Sequence, residues 1–146
     1  MFNFKLDKVL DYREKIEKKS KENFAAKLKV YSDINFELES LVTKKTQVLN
    51  GGYSNLRTTQ ELIVFQRYLT FLDDSIDKTR EELSVAERIL EGARVEVIKA
   101  NKDRKVIETL KDNAYIEHIK EENKLEQNKL DDIASNNYIK SLKGGE

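Results

Sequence analysis

The segment ELIVFQRYLTFLDDSIDKTREELSVAERILEGARVEVIKA, residues 61–100, decides the fold of this chain. Apolar and small residues recur in it at alternating steps of three and four, the heptad pattern of a coiled-coil seam. The seam positions are Leu62, Phe65, Leu69, Leu72, Ile76, Thr79, Leu83, Ala86, Leu90, Ala93, Val97 and Ala100. Every second seam position, from Leu62 to Val97, is a large residue; we call these the large column. The alternate positions, which start at Phe65 and form the small column, become threonine and alanine from Thr79 onward, so we expect a partner helix to approach this segment closely.

A second amphipathic helix precedes this seam and is the natural partner. Its apolar residues also follow mostly three- and four-residue steps, although between Tyr12 and Asn23 the stripe thins to Ile16 alone. They are Phe2, Leu6, Val9, Ile16, Phe24, Leu28, Tyr31, Ile34, Leu38, Leu41, Val42, Val48 and Leu49.

One break separates the two helices. Gly51 and Gly52 would together cost about 2 kcal/mol inside a helix, and Thr58 with Glu61 fits a capping box at a helix start. The sequence therefore predicts an all-α fold in a single domain, a long antiparallel two-helix coiled-coil hairpin with an overhanging C-terminal helix. The predicted parts are helix 1 over residues 4–49, a tip loop over 50–57, helix 2 over 58–138 and a frayed tail over 139–146.

The overhang follows from the unequal helix lengths. Helix 1 is expected to cover helix 2 only as far as Asn101, which leaves residues 102–138 without a partner inside the chain. The seam resumes weakly there, at Ile107, Ala114, Ile116, Ile119, Leu130 and Ile133. A patterned helix without an internal partner indicates a partner from outside the chain.

Composition removes several functional classes. The chain has 146 residues, of which 37% are charged, and Lys+Arg and Asp+Glu are both 27. Zero net charge is unlike the basic face of a nucleic-acid binder, so no nucleic-acid partner is expected. The absence of cysteine excludes disulfides and thiolate chemistry. No apolar run is long enough for a membrane span or a signal peptide, so we expect a cytoplasmic protein.

No catalytic, metal or cofactor site is expected either. The single histidine, His118, is expected to be solvated among charged neighbours, and adjacent carboxylates such as Asp73 and Asp74 point apart on a helix. The feature that does stand out is a second apolar stripe, formed by Val64, Tyr68 and Phe71, about 100° around helix 2 from the seam. It is either a docking surface beside the tip or a face that a shifted helix 1 covers.

Three stretches resemble the flagellar export protein FliJ family. FNFKLDKVLDYREKIE, residues 2–17, is similar to the family's opening, and DRKVIETLKDNAYIEHIKEENKLEQNKLDDIASNNY, residues 103–138, to its closing pattern. FQRYLTFLDDSIDKTR, residues 65–80, resembles the segment that follows the family's hairpin tip. The closing stretch departs from the pattern at Asp132, where glutamate is usual, and at Asn137, where a basic residue is common.

The resemblance implies a non-enzymatic stalk of the bacterial flagellar type III export apparatus. Its implied partners are the hexameric export ATPase, the cytoplasmic domain of the export gate membrane protein, and export chaperones. No cofactor is implied. The implied location is the cytoplasm, peripherally at the inner face of the cell membrane through these partners.

The resemblance also implies contact residues. For the export gate, it adds Leu72 and, on helix 1, Leu38 and Leu41 to the stripe of Val64, Tyr68 and Phe71; Tyr68 belongs to both sets. For the ATPase or chaperones, the closing pattern implies Arg104, Lys105, Leu110, Tyr115, Gln127 and Leu130. Two alternatives stay open: the equivalent stalk of a virulence-type secretion system, or a general structural or holdase coiled coil, the latter with β-hairpins at its tip.

Overall fold

The computed structural model describes residues 1–145 and contains two long helices that pack against each other. Helix α1 spans Asp7–Gly51 and helix α2 spans Thr59–Lys143, with a short 3₁₀ turn at Tyr53–Asn55 between them. No strand occurs in residues 1–145. The predicted all-α helical hairpin is confirmed. Contacts divide the chain into two compact units, Ile16–Ala100 and Met1–Lys15 with Asn101–Glu146.

The helix ends differ from prediction by a few residues. Helix α1 starts three residues later than expected and ends two later, at Gly51. Helix α2 continues five residues beyond the predicted end, because nothing before Gly144 interrupts it and two lysines in its last turn suit the negative end of the helix dipole. Of the predicted frayed tail, Glu146 lies outside the described residues.

The tip loop shows why one helix stops and the next begins. Gly52 has φ 65°, a left-handed conformation that glycine adopts without strain, and its N–H donates to the Val48 carbonyl at 3.2 Å. The Thr58 hydroxyl accepts the Glu61 N–H at 3.1 Å, which confirms that half of the predicted capping box. In the other half of a capping box, the Glu61 carboxylate would accept the N–H of Thr58. Here it accepts the N–H of Arg57 instead, at 2.7 Å.

The seam of α2 forms the core of the unit Ile16–Ala100, as predicted from Phe65 onward. Leu72 is the most deeply buried large side chain, at 1% exposure. The small column, Thr79, Ala86, Ala93 and Ala100, is buried, whereas the large residues opposite in the heptad, Leu83, Leu90 and Val97, are only half-buried. The small side chains therefore mark where α1 approaches α2 most closely. Leu62, at 40% exposure, lies outside the core.

The facing side of α1 is more polar than the sequence suggested. Lys27 is half-buried there, whereas the predicted Leu28 is 45% exposed. A lysine can hold this position because its methylene stem packs on apolar surface while the ammonium stays in water. Lys45 is also half-buried, and its ammonium forms an ion pair with Asp73 of α2. Glu17 is 5% exposed and pairs with the Lys21 Nζ at 2.9 Å.

In the other unit, the N-terminal segment covers part of the predicted overhang. Asp7 accepts a hydrogen bond from Lys111 Nζ at 2.7 Å, and Arg13 reaches Asp103 at 3.4 Å. The Phe2 ring lies 5.3 Å from the Tyr115 ring and 5.4 Å from the His118 ring, between centroids. The prediction that residues 102–138 lack an internal partner is thus wrong up to His118. From residue 119 to 145 every residue is exposed.

The helices pair in a register that the helix lengths alone do not predict. The tip places Tyr53 against Phe65, with ring centroids 4.9 Å apart, so residues of α1 face positions farther along α2 than the helix ends alone suggest. Phe2 and Phe4, ahead of the helix, extend the packing further, and Phe4 is buried.

Two truncations should therefore behave differently. Cutting the chain after Ile119 should leave the hydrogen-bonded amides of residues 10–15 protected from hydrogen exchange, because their packing partners remain. Cutting after Asn101 should expose Phe4 and Leu10 and remove that protection. Equal protection of residues 10–15 in both truncated chains would show that the N-terminal segment does not depend on residues 102–119.

Candidate docking surface

The stripe beside the tip is exposed. Val64, Tyr68 and Phe71 are 65%, 42% and 62% exposed, and their spacing of four and three residues puts them on one side of α2. The alternative in which a shifted helix 1 covers them is wrong. Large apolar side chains grouped on a helix surface are typical of a docking site. We call these three residues the tip stripe.

The tip loop is fixed to α2 next to the tip stripe. The Tyr53 ring packs edge-on against Phe65, with an interplanar angle of 69°, and its hydroxyl accepts a hydrogen bond from Gln66 Nε2 at 3.0 Å. Leu56 of the loop, together with Val64 and Tyr68, lines a shallow groove. The packing of Tyr53 on Phe65 and its hydrogen bond to Gln66 hold the loop beside this groove.

The other implied gate residues lie elsewhere. Leu38 and Leu41 are half-buried on the face of α1 that packs against α2, and Leu72 is buried in the seam. The structure thus brings Val64, Tyr68 and Phe71 together on the surface, whereas Leu38 and Leu41 are half-buried and Leu72 is buried. Leu72 offers a partner almost no surface, so it holds the helices together beneath the tip stripe.

The six residues implied for the ATPase or chaperones form two groups within their unit. Arg104 bonds to Glu108 at 2.6 Å, Tyr115 packs on Phe2, and Lys105 and Leu110 are exposed on the same stretch of α2. Gln127 donates to Asp131 at 3.0 Å and Leu130 is 55% exposed, both on the part of α2 in which every described residue is exposed. They do not converge on a single site.

An ion pair between Asp7 and Lys111 shifts the pKa of Lys111 in this unit. The hydrogen bond to Asp7 raises the pKa of Lys111; desolvation opposes this shift, and attraction to Asp7, Asp11 and Glu14 adds to it. A raised lysine pKa means that the fold favours the protonated form. The resulting stabilisation is fully present below the ordinary value of 10.5 and is lost as pH rises through the raised pKa.

His118 is less solvated than expected. Its side chain is 28% exposed, its ring packs against Phe2, and its Nε2 lies 3.1 Å from Glu122 Oε1. These contacts make it part of the packing of the N-terminal segment. Within residues 1–145, no group of three or more histidine, cysteine, aspartate or glutamate side chains is placed to hold a metal ion. None of the helices in that range combines the length and apolarity needed to cross a bilayer.

Sequence reasoning missed a second apolar surface. Val30 of α1 and Val85 and Ile89 of α2 line a groove along the side of the helix pair, and each is about half exposed. The signal was available, because Val85 and Ile89 lie at the same heptad positions as Phe71 and Tyr68.

The fold defines this chain as a coiled-coil helical hairpin with apolar side chains exposed along its helices. The sequence model of one family, described as Flagellar FliJ protein, matches residues 2–143. The chain belongs to the FliJ family and has a role in bacterial flagellar protein export. Comparison with curated proteins found no match, and comparison with solved structures found none either. The resemblance inferred from the three stretches is confirmed.

Proposed function

We propose that this chain is a non-enzymatic stalk and adaptor of the flagellar export apparatus. In this role it links the export ATPase ring to the cytoplasmic domain of the export gate and handles export chaperones. The observation that carries the proposal is the exposed tip stripe beside a tip loop fixed to α2. The chain would work in the cytoplasm and lie at the membrane's inner face through these partners.

The tip stripe suits the gate contact. An aromatic side chain anchored on a rigid helix loses little conformational freedom when it is buried by a partner, and such residues often dominate binding energy. Tyr68 adds a hydroxyl that can donate or accept a hydrogen bond at the rim of the patch. Phe71 and Val64 supply the apolar area around it.

The uncovered part of α2 suits the ATPase or a chaperone. Residues 119–143 remain helical although nothing in the described chain packs on them, and Ile119, Leu130 and Ile133 lie on a similar side of this stretch. A helix with an apolar side and no internal partner is the form expected of a segment that binds another protein.

The alternatives receive less support. A holdase with β-hairpins at its tip disagrees with a tip that contains only a 3₁₀ turn between two helices. The virulence-type stalk shares the architecture, but the family that matches the chain is the flagellar one.

The variant Tyr68→Ala tests the gate contact. Because Tyr68 is 42% exposed, its loss should change the free energy of unfolding by no more than about 0.5 kcal/mol. Its loss should weaken binding to the purified gate domain by about 2 kcal/mol or more, roughly 30-fold. Titration calorimetry would measure the binding and urea melts the stability.

Phe36→Ala is the matched control. Phe36 is a 73% exposed aromatic residue on α1, outside the tip stripe, so its removal should change neither quantity. Equal loss of gate binding in both variants would show that the tip stripe has no special role.

A further inference from the structure

The tip stripe is the beginning of a longer series along α2. Steps of three and four continue from it through residue 99, which gives α2 a second heptad series displaced from the buried seam. We call it the outer stripe; its residues are Glu61, Val64, Tyr68, Phe71, Ser75, Lys78, Glu82, Val85, Ile89, Gly92, Glu96 and Lys99. All are exposed except Ser75, which is half-buried.

We propose that two copies of this chain associate through their outer stripes, antiparallel, about a two-fold axis near Arg80. An antiparallel pair of helices brings each position of one series opposite a position of the same series in the other copy. With the axis near Arg80, Lys78 of one copy faces Glu82 of the other, and residues farther along pair outward from there.

Side-chain sizes match in this register. Tyr68 faces Gly92 of the second copy, Phe71 faces Ile89, and Val85 faces Ser75. Tyr68 and Val85 each face a small residue, which lets the two helices approach, and Phe71 with Ile89 forms an apolar pair between them. Gly92 in particular has open space around it, with no atom within 4 Å of where a Cβ would lie, so the tyrosine ring has room to settle there.

Charges match in the same register. Lys78 faces Glu82 and Glu61 faces Lys99, and the two-fold axis makes each pair occur twice. Lys78 and Glu82 form no ion pair within residues 1–145, so both are available to a second copy. In this register one apolar residue of the outer stripe, Val64, faces a charged residue, Glu96. Sliding the register by one heptad in either direction loses both ion pairs and sets the larger Phe71 opposite a glutamate, Glu82 or Glu96.

Helix α1 contributes to the same contact. Val30 and Ile34 line the groove beside Val85 and Ile89, so a helix lying on the outer stripe would also cover them. The charges at the edge of this groove, Lys27 and Lys78 with Glu81 and Glu82, have both signs, which suits a self-complementary surface.

This self-association goes beyond the proposed function and does not rest on it. It uses Tyr68 and Phe71, so a dimer would cover the tip stripe and exclude the export gate. The dimer would then be a form of the chain that has no gate bound.

Charge reversal tests the proposal most sharply. Sedimentation equilibrium of the full chain, across a range of concentrations, should show a reversible monomer–dimer equilibrium. Lys78→Glu and Glu82→Lys should each raise the dimer dissociation constant about tenfold or more, because like charges then meet twice. The double variant Lys78→Glu/Glu82→Lys should restore dimerisation, since every opposed pair regains opposite signs.

Two further variants keep the test independent of folding and of gate binding. Glu87→Lys, an exposed charge reversal on the side of α2 away from the outer stripe, should leave the dimer unchanged. Gly92→Leu should weaken the dimer while keeping the hairpin folded, because it fills the space proposed for Tyr68. Lys78→Glu should retain gate binding. A chain that stays monomeric throughout, or a dimer that neither reversal weakens, would overturn the proposal.

Discussion

Replacing Leu72 with alanine should lower the free energy of unfolding by about 3 kcal/mol, within the range of 2–5 measured for buried leucines. Leu72 is 1% exposed, so its removal loses both the transfer energy of the side chain and its packing contacts. A narrow two-helix seam has few other apolar groups with which to fill the space. Urea melts followed by circular dichroism would measure the change.

Leu83→Ala and Leu90→Ala are the matched comparison. If both were fully buried in the seam, as the heptad pattern predicts, each substitution should cost about 2–4 kcal/mol. Both are half-buried in the structure, so we now expect a smaller loss than at Leu72. A larger loss at Leu83 than at Leu72 would mean that the packing between α1 and α2 is drawn in the wrong place.

Replacing Ala93 with aspartate should be at least as damaging, at about 3 kcal/mol or more. Ala93 is 5% exposed in the small column, where α1 comes close to α2. An aspartate there needs extra volume and places a carboxylate where water and partner charges are scarce. The expected result is a lower midpoint in thermal and urea melts.

Val95→Asp is the control for the intrinsic effect of aspartate in a helix. Val95 lies two residues away and is 53% exposed, so its carboxylate would stay in water and the loss should be small. Equal losses for the two substitutions would indicate that Ala93 is not at a close approach of the helices.

The seam of α2 was predictable because its residues are apolar or small at every step from Phe65 to Ala100. The side of α1 that faces α2 was only partly predictable, since a search for apolar residues passes over Glu17 and Lys27. These side chains enter the interface because their stems are apolar and their charged ends reach water or an ion pair. Burial at such positions depends on the partner helix, which local sequence does not show.

The extent of pairing was also beyond the sequence. It depends on the register in which the two helices pair, and the sequence of the tip loop does not show that Tyr53 packs against Phe65. The candidate docking surface was easier to predict from the sequence, because Val64, Tyr68 and Phe71 do not belong to the clearly defined seam. The family resemblance added Leu72 to the gate contacts, but the heptad pattern had already placed Leu72 in the seam, and it is buried there.

The central claim is that one chain links the export ATPase to the export gate, and complex formation among the three purified components tests it most directly. Size-exclusion chromatography with light scattering would measure the mass of the mixture. We expect one species that contains all three, and we expect Tyr68→Ala to release the gate domain while the ATPase stays bound. If the gate domain instead displaced the ATPase from the chain, the two partners would share a surface and the chain could not link them.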